Sequence, residues 1–139
     1  MEKPDMTASV QWTGEMTFLA TSASGHRVVM DAGDELKAPT PLEMVLMSAG
    51  TCASVDVVSI LQKARQRVSG VHCELCAKRA DSAPRVFTDI HLTFVVSGDN
   101  VAEKHVERAV SLSADKYCSV AKMLEKAVNI THSYRIETP

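Results

Sequence analysis

The sequence predicts an α+β fold in which antiparallel sheets surround one long central helix. Three observations predict it: period-two alternation before and after a single long apolar stretch, a helix-start signature at Thr40, and the lack of the regular strand-helix alternation of a parallel sheet. With 139 residues, the chain is expected to form one domain, 1–139, large enough for a real core.

The chain opens with strand signals. Ala8, Val10 and Trp12 alternate with Ser9, Gln11 and Thr13, and Gly14-Glu15 offers a turn. Met16, Phe18 and Ala20 resume the alternation, Ser22 to Gly25 supplies another turn, and Val28 and Met30 mark a third strand. The polar, turn-rich segment from Asp31 to Pro39 reads as a loop that delivers the chain to the central helix.

That helix is expected from Thr40 to Arg67, with Cys52 at its middle. Thr40 can cap the first free amides, Pro41 loses nothing at the first helical position, and Glu43 completes a capping box. From Met44 to Leu61 the apolar residues spread around every side, the pattern of a helix enclosed by protein. One short chain has little structure with which to enclose it, so a partner subunit is expected. Lys63, Arg65 and Arg67 favour the negative end of the helix dipole, and Gly70 is expected as the stop. Glu43, Ser48, Gly50, Thr51, Ser54, Asp56 and Ser59 interrupt the apolar stretch, which argues against a membrane span.

Beyond the helix, Val71, Cys73, Leu75 and Ala77 share one face of a strand, while His72, Glu74, Cys76 and Lys78 share the other. The C-x-x-C spacing of Cys73 and Cys76 would suggest metal or redox chemistry on a turn; on a strand it sends the sulfurs to opposite faces. In the next strand Val86, Ile90, Leu92, Phe94 and Val96 are expected in the core, with Asp89 and His91 solvated. Asp99 or Asn100 can cap a helix carrying Ala102, Val106, Ala109, Val110 and Ser113 at helical spacing. Ser113 to Ala127 reads as a continuation or as a second helix, with Cys118 near the joint. Val128, Ile130, His132, Tyr134 and Ile136 alternate in a terminal strand, where His132 is expected as a hydrogen-bonded core residue.

Composition narrows the function. A net charge of −2, with 4% aromatic residues and no long basic stripe, gives no footprint for nucleic acid. The start, Met1-Glu2-Lys3-Pro4-Asp5, lacks the features of a signal peptide, so a cytoplasmic protein is expected, with its four cysteines resting as thiols. The glycines are scattered and form no phosphate-cradling loop, no second C-x-x-C or nearby histidine pair completes a zinc site, and neither cofactor nor metal is expected.

Cys52 and Cys118 remain. Thr40-Pro41-Leu42-Glu43-Met44-Val45-Leu46-Met47, followed by Ser48 to Cys52, and Lys116-Tyr117-Cys118-Ser119-Val120-Ala121-Lys122 resemble the two cysteine segments of the OsmC/Ohr family, most closely its YhfA-like branch. The family comprises osmotically induced and organic-hydroperoxide-resistance proteins, and the order of elements is similar over essentially the whole chain. The resemblance implies an OsmC-like intertwined homodimer, its two central helices packed between sheets built from both chains. It also implies that Cys52 attacks a hydroperoxide, that Cys118 resolves the sulfenic acid as a disulfide, and that a dithiol reductant restores both thiols.

Such a reaction needs a thiolate, and a free cysteine with a pKa of ~8.5 is only slightly ionised at neutral pH. Cys52 lies too deep in its helix for the N-terminal dipole to help, and Asp56, one turn later, would oppose ionisation if unpaired. In the family's peroxidase branches, a glutamate directly after the helix-starting proline and an arginine in the first hairpin supply the environment. Here Leu42 follows Pro41, Glu43 stands one position on, and the first turn carries Gly14-Glu15. His26, Arg27 and Lys37 are candidate substitute cations, and the activating residues stay open. Three functional readings follow: a thiol-dependent hydroperoxide reductase, a non-catalytic OsmC-like dimer that binds a small apolar or reactive molecule, and a mainly structural dimer whose thiols are small core residues.

Overall fold

The period-two alternation at the start of the chain becomes three strands, β1 (Ala8–Gly14), β2 (Thr17–Ser22) and β3 (Arg27–Asp31), paired antiparallel in that order. The computed structural model describes residues 1–139, which divide into two units, Met1–Val45 and Leu46–Pro139. In the first unit, the β1–β2 turn runs through Gly14 at φ 129° and Glu15 at φ 49°, left-handed conformations of which the first favours glycine. Trp12 closes this turn by donating its indole N–H to the Glu15 carbonyl at 2.8 Å.

The loop after β3 is organised by one buried carboxylate. Asp31, 4% exposed, accepts the Gly33 amide at 2.8 Å and the Lys37 amide at 3.1 Å. Those amide bonds, aided by the nearby Lys37 charge, hold its carboxyl below the usual carboxylate range against the opposing effect of desolvation. The loop leads into the long helix α1 (Pro41–Lys63), which starts as expected with a reciprocal capping box. The Thr40 amide donates to Glu43 Oε1 at 2.9 Å, and the Glu43 amide donates to Thr40 Oγ1 at 3.1 Å.

The end of α1 differs from the expected one. Arg65, at φ 59°, takes the left-handed position usual for glycine, with Gln66 N–H bonding Leu61 C=O and Arg65 N–H bonding Gln62 C=O, each at 3.0 Å. This closing motif stops the helix four residues short of Arg67, and Gly70 instead lies within the following strand. Within the single chain α1 is enclosed on one side: Ala49, Gly50, Ala53, Val57 and Leu61 are buried, whereas Met47 and Val55 are 44% and 62% exposed. By length and composition α1 could cross a bilayer despite its polar interruptions. Its backbone at Gly50 is nevertheless pressed against protein, because an added Cβ would come within 2.6 Å of Leu75 Cδ1.

The second unit builds a sheet of β4 (Arg67–Arg79), β5 (Phe87–Asp99) and β6 (Asn129–Glu137), in that order. β4 and β5 are antiparallel, but β6 runs parallel to β5, so the expectation of antiparallel sheets is corrected at this pair. A parallel neighbour needs a crossover, which here consists of α2 (Glu103–Leu112), a π-helical turn (Ser113–Tyr117) and α3 (Ser119–Leu124). The choice between one helix and two resolves as two, separated by extended backbone at Cys118. Neither Asp99 nor Asn100 caps α2; Ala102 is its N-cap, and the Ala102 amide is satisfied by Gln66 Oε1 at 2.9 Å.

The core lies between the sheet and these helices, where Leu61, Val57, Ile90, Phe94, Val96, Val106 and Val110 are almost fully buried. Each such side chain contributes ~1.5–3 kcal/mol of transfer free energy. Val86 is a correction, since it precedes β5 and is 54% exposed, and Phe87 occupies the buried position. Val95, on the polar face, is nonetheless buried, flanked in register by His72 and Arg135. His91 is half-buried rather than freely solvated, its ring nitrogens 2.6 Å from Thr131 Oγ1 and 2.9 Å from Ser133 Oγ. His132 is exposed and not a core residue, because only the middle of this sheet is fully covered by the crossover.

Asp31 gives a signed prediction. Since its folded pKa is depressed, its contribution is present above the unfolded carboxylate pKa of ~3.9 and is lost as pH falls through the lower folded value. Acid unfolding of Asp31→Asn, followed by circular dichroism, should therefore show lower stability at neutral pH and a shallower loss on acidification.

Candidate functional site

The site forms where the middle of α1 meets the break in the crossover. Cys52 lies on α1, half-buried, with its Sγ 3.8 Å from Ser119 Oγ. Cys118 is fully buried at the extended residue between the π-helical turn and α3, and its Sγ accepts the Ala121 amide at 3.4 Å. The two thiols, 66 positions apart in sequence, are near enough to act on each other's ionisation.

Ser113 holds this junction together. Its buried hydroxyl lies 3.2 Å from the Ala53 carbonyl and 3.1 Å from Asp56 Oδ2, and its own carbonyl accepts the Cys118 amide at 2.9 Å. Its single proton is shared between the two acceptors on α1. Asp56 thereby has a partner, whereas the sequence left its pairing open. A π-helical turn is uncommon, and here it sets Ser113 and Cys118 five residues apart with the second amide pointing back at the first carbonyl. No periodicity in Ser113-Ala114-Asp115-Lys116-Tyr117 announces that turn.

The environment separates the thiols chemically. Burial pushes Cys52 upward, but the Val120 amide, the Cys118 thiol, the Ser119 hydroxyl and the Ser119 amide outweigh it, leaving its pKa below the ordinary value. Cys118 is pushed up to about 11, chiefly by burial and then by the neighbouring Cys52 and Asp56, against the Ala121 amide. Backbone amides therefore supply the stabilisation for which His26, Arg27 and Lys37 were candidates. Glu43 is occupied in the capping box, and Lys37 makes an exposed ion pair with Glu15 at 3.6 Å.

This arrangement has the chemistry of a thiol pair with distinct tasks: one sulfur biased toward thiolate, the other held protonated beside it. Cys73 and Cys76 take no part in it. They stand on opposite faces of β4 as expected, Cys73 half-buried and pushed up to about 11 by burial and Glu74, and Cys76 exposed beside His91 in the strand register. The four cysteines are free thiols.

Comparison with known proteins identifies relatives of this chain. The OsmC-like protein family profile matches residues 32–133. Protein YhfA of Escherichia coli strain K12 is 56% identical over 131 residues, spanning 94% of this chain and 98% of the relative. The crystal structure of a hypothetical protein from Aquifex aeolicus VF5 superposes with a TM-score of 0.88 at 32% identity, covering 99% of each chain. The organic hydroperoxide resistance protein OhrB of Bacillus subtilis shares the fold with a TM-score of 0.63 at 11% identity, covering 94% of this chain and 97% of that one.

The thiol environments predict an order of reactivity. Iodoacetamide titration with peptide mapping across pH should show Cys52 alkylating at lower pH than an unperturbed thiol, while Cys73 and Cys118 stay protected in the folded protein until far more alkaline pH. Equal titration of Cys52 and Cys118 would contradict the assigned environments.

Proposed function

We propose, starting from the fact that this chain belongs to the OsmC-like protein family, that it reduces organic hydroperoxides through a peroxidatic Cys52 and a resolving Cys118. The observation that carries this reading is the Cys52 sulfur, set beside the Ser119 and Val120 amides and the Cys118 thiol. Fold relatives named organic hydroperoxide resistance proteins support the reaction class.

In the first step the Cys52 thiolate attacks the terminal peroxide oxygen, the O–O bond breaks, and the departing alkoxide takes a proton to leave as an alcohol. Cys52 becomes a sulfenic acid. The Cys118 sulfur then bonds to Cys52 Sγ, and hydroxide departs with the Cys118 proton as water. The apparent mismatch of a resolving thiol near pKa 11 is met by that leaving hydroxide, which needs a proton. A dithiol reductant, in a cytoplasmic setting, returns both cysteines to thiols.

Stoichiometric tert-butyl hydroperoxide should consume two thiols per chain and yield a Cys52–Cys118 disulfide on peptide mapping. Cys118→Ser should leave Cys52 as sulfenic acid or overoxidised, and Cys52→Ser should abolish the reaction. A Cys52 that reacts no faster than an ordinary thiol would sink the peroxidase reading and favour a dimer that binds a small apolar or reactive molecule.

The same reading takes the protein as a homodimer built around α1. Exposed Val45, Met47 and Val55, at 37%, 44% and 62%, support a partner surface along this helix. Sedimentation should show a dimer, and Val55→Glu should shift it toward monomer, because a charge buried in an apolar interface is costly unless paired. A wild-type chain sedimenting as a stable monomer would count against the assembly.

A further inference from the structure

Ser119 opens α3 directly after Cys118, and its exposed side chain reaches α1, where Oγ lies 3.8 Å from Cys52 Sγ. Against a thiolate the hydroxyl must be the donor, since it alone of the two then carries a proton. The remaining partners of the Cys52 sulfur are the Val120 and Ser119 amides and the Cys118 thiol. Backbone amides hold negative charge without giving up their protons. Cys118 is fully buried, and its proton goes to the hydroxide that leaves in the resolving step. Asp56, one turn further along α1, faces the Ser113 hydroxyl as an acceptor.

We propose that Ser119 is a catalytic residue of the peroxide step: its hydroxyl holds the Cys52 thiolate and then passes its proton to the departing alkoxide, a role that rests on the peroxidase reading and names its proton donor. In an attack on a peroxide, the sulfur and both oxygens lie nearly in line, so the alkyl-bearing oxygen sits one bond beyond the atom being transferred. At 3.8 Å, Ser119 Oγ stands beside the sulfur with room to turn toward that oxygen. A hydroxyl rotates to suit a new acceptor, whereas the neighbouring amides are fixed in the backbone.

The step balances without a further reactant. The thiolate electron pair forms the bond to the terminal oxygen, and the O–O bond breaks with its pair on the alkyl-bearing oxygen. The Ser119 proton moves to that oxygen, and solvent water replaces it, which the exposure of Ser119 permits. Cys52 is oxidised to the sulfenic acid, the peroxide is reduced to an alcohol, and Ser119 ends as it began.

The test compares Ser119→Ala and Ser119→Thr with the wild-type chain, each at a pH above its own Cys52 titration, so that the thiolate is fully formed throughout. Iodoacetamide alkylation locates that pH, and because iodide leaves without a proton, its plateau rate at Cys52 should fall in neither variant. With tert-butyl hydroperoxide, whose leaving alkoxide is strongly basic, Cys52 oxidation in Ser119→Ala should slow about a hundredfold, and Ser119→Thr, which keeps the hydroxyl, should recover most of the loss. With peracetic acid, whose leaving acetate needs no proton, Ser119→Ala should match the wild-type rate. An equal loss with both oxidants, or no loss with either, overturns the proposal. The wild-type rate judges the underlying reading separately. Wild-type Cys52 reacting with tert-butyl hydroperoxide no faster than an ordinary thiol removes the peroxidase reading and the proposal with it, whereas a fast wild type with an equally fast Ser119→Ala removes the role of Ser119 alone.

Discussion

The geometry of the thiol pair depends on one buried hydroxyl. Ser113 ties the α1 backbone at Ala53 and the Asp56 carboxylate to the crossover, and its carbonyl fixes the amide of Cys118. Inside protein, such a group is costly to leave unpaired, so the junction has one favoured arrangement. That arrangement sets the extended residue Cys118 beside the middle of α1, and it brings the Ser119 and Val120 amides to Cys52. The opposite ionisation shifts of the pair are therefore a property of the junction rather than of either cysteine's own segment.

Close packing keeps the junction in register with the sheet. Gly50 allows α1 to approach Leu75 on β4, and Gly98 allows the end of β5 to pass the backbone of β4, where a Cβ would collide with the Arg67 carbonyl oxygen. Gln66, just past the α1 terminus, satisfies the Ala102 amide, so the end of the central helix and the start of the crossover share a hydrogen bond. At the other end of the crossover, β6 lies parallel to β5, with the Tyr134 hydroxyl donating to Glu103 at 3.0 Å. The sheet, the central helix and the crossover thus constrain one another around the two sulfurs.

Electrostatics divides the labour between them. Cys52 and Cys118 share a boundary but face different partners: amide donors stabilise charge on the first, while burial and nearby negative groups oppose it on the second. A family relative without the expected glutamate and arginine can in this way still bias one thiol toward ionisation, because backbone N–H groups carry the same sign of partial charge at a donor's hydrogen. Side-chain identity alone does not report that substitution.

Local periodicity and local chemistry make part of this fold readable from the residues alone. The strands of both sheets, the Thr40–Glu43 capping box, the opposite faces of Cys73 and Cys76, and the position of Cys118 at a helix joint were all legible, since periods of two and 3.6 and a three-residue capping spacing act within a single turn or strand. The remainder is set by long-range contacts. The parallel placement of β6, the exposure of His132 and the pairing of Asp56 depend on which segments meet across long sequence separations. So does the lowered pKa of Cys52, whose stabilising amides lie 67 and 68 residues further along the chain. The left-handed end of α1 at Arg65 and the π-helical turn at Ser113 escaped for a related reason: neither residue's own preference selects that conformation, and the surrounding fold does.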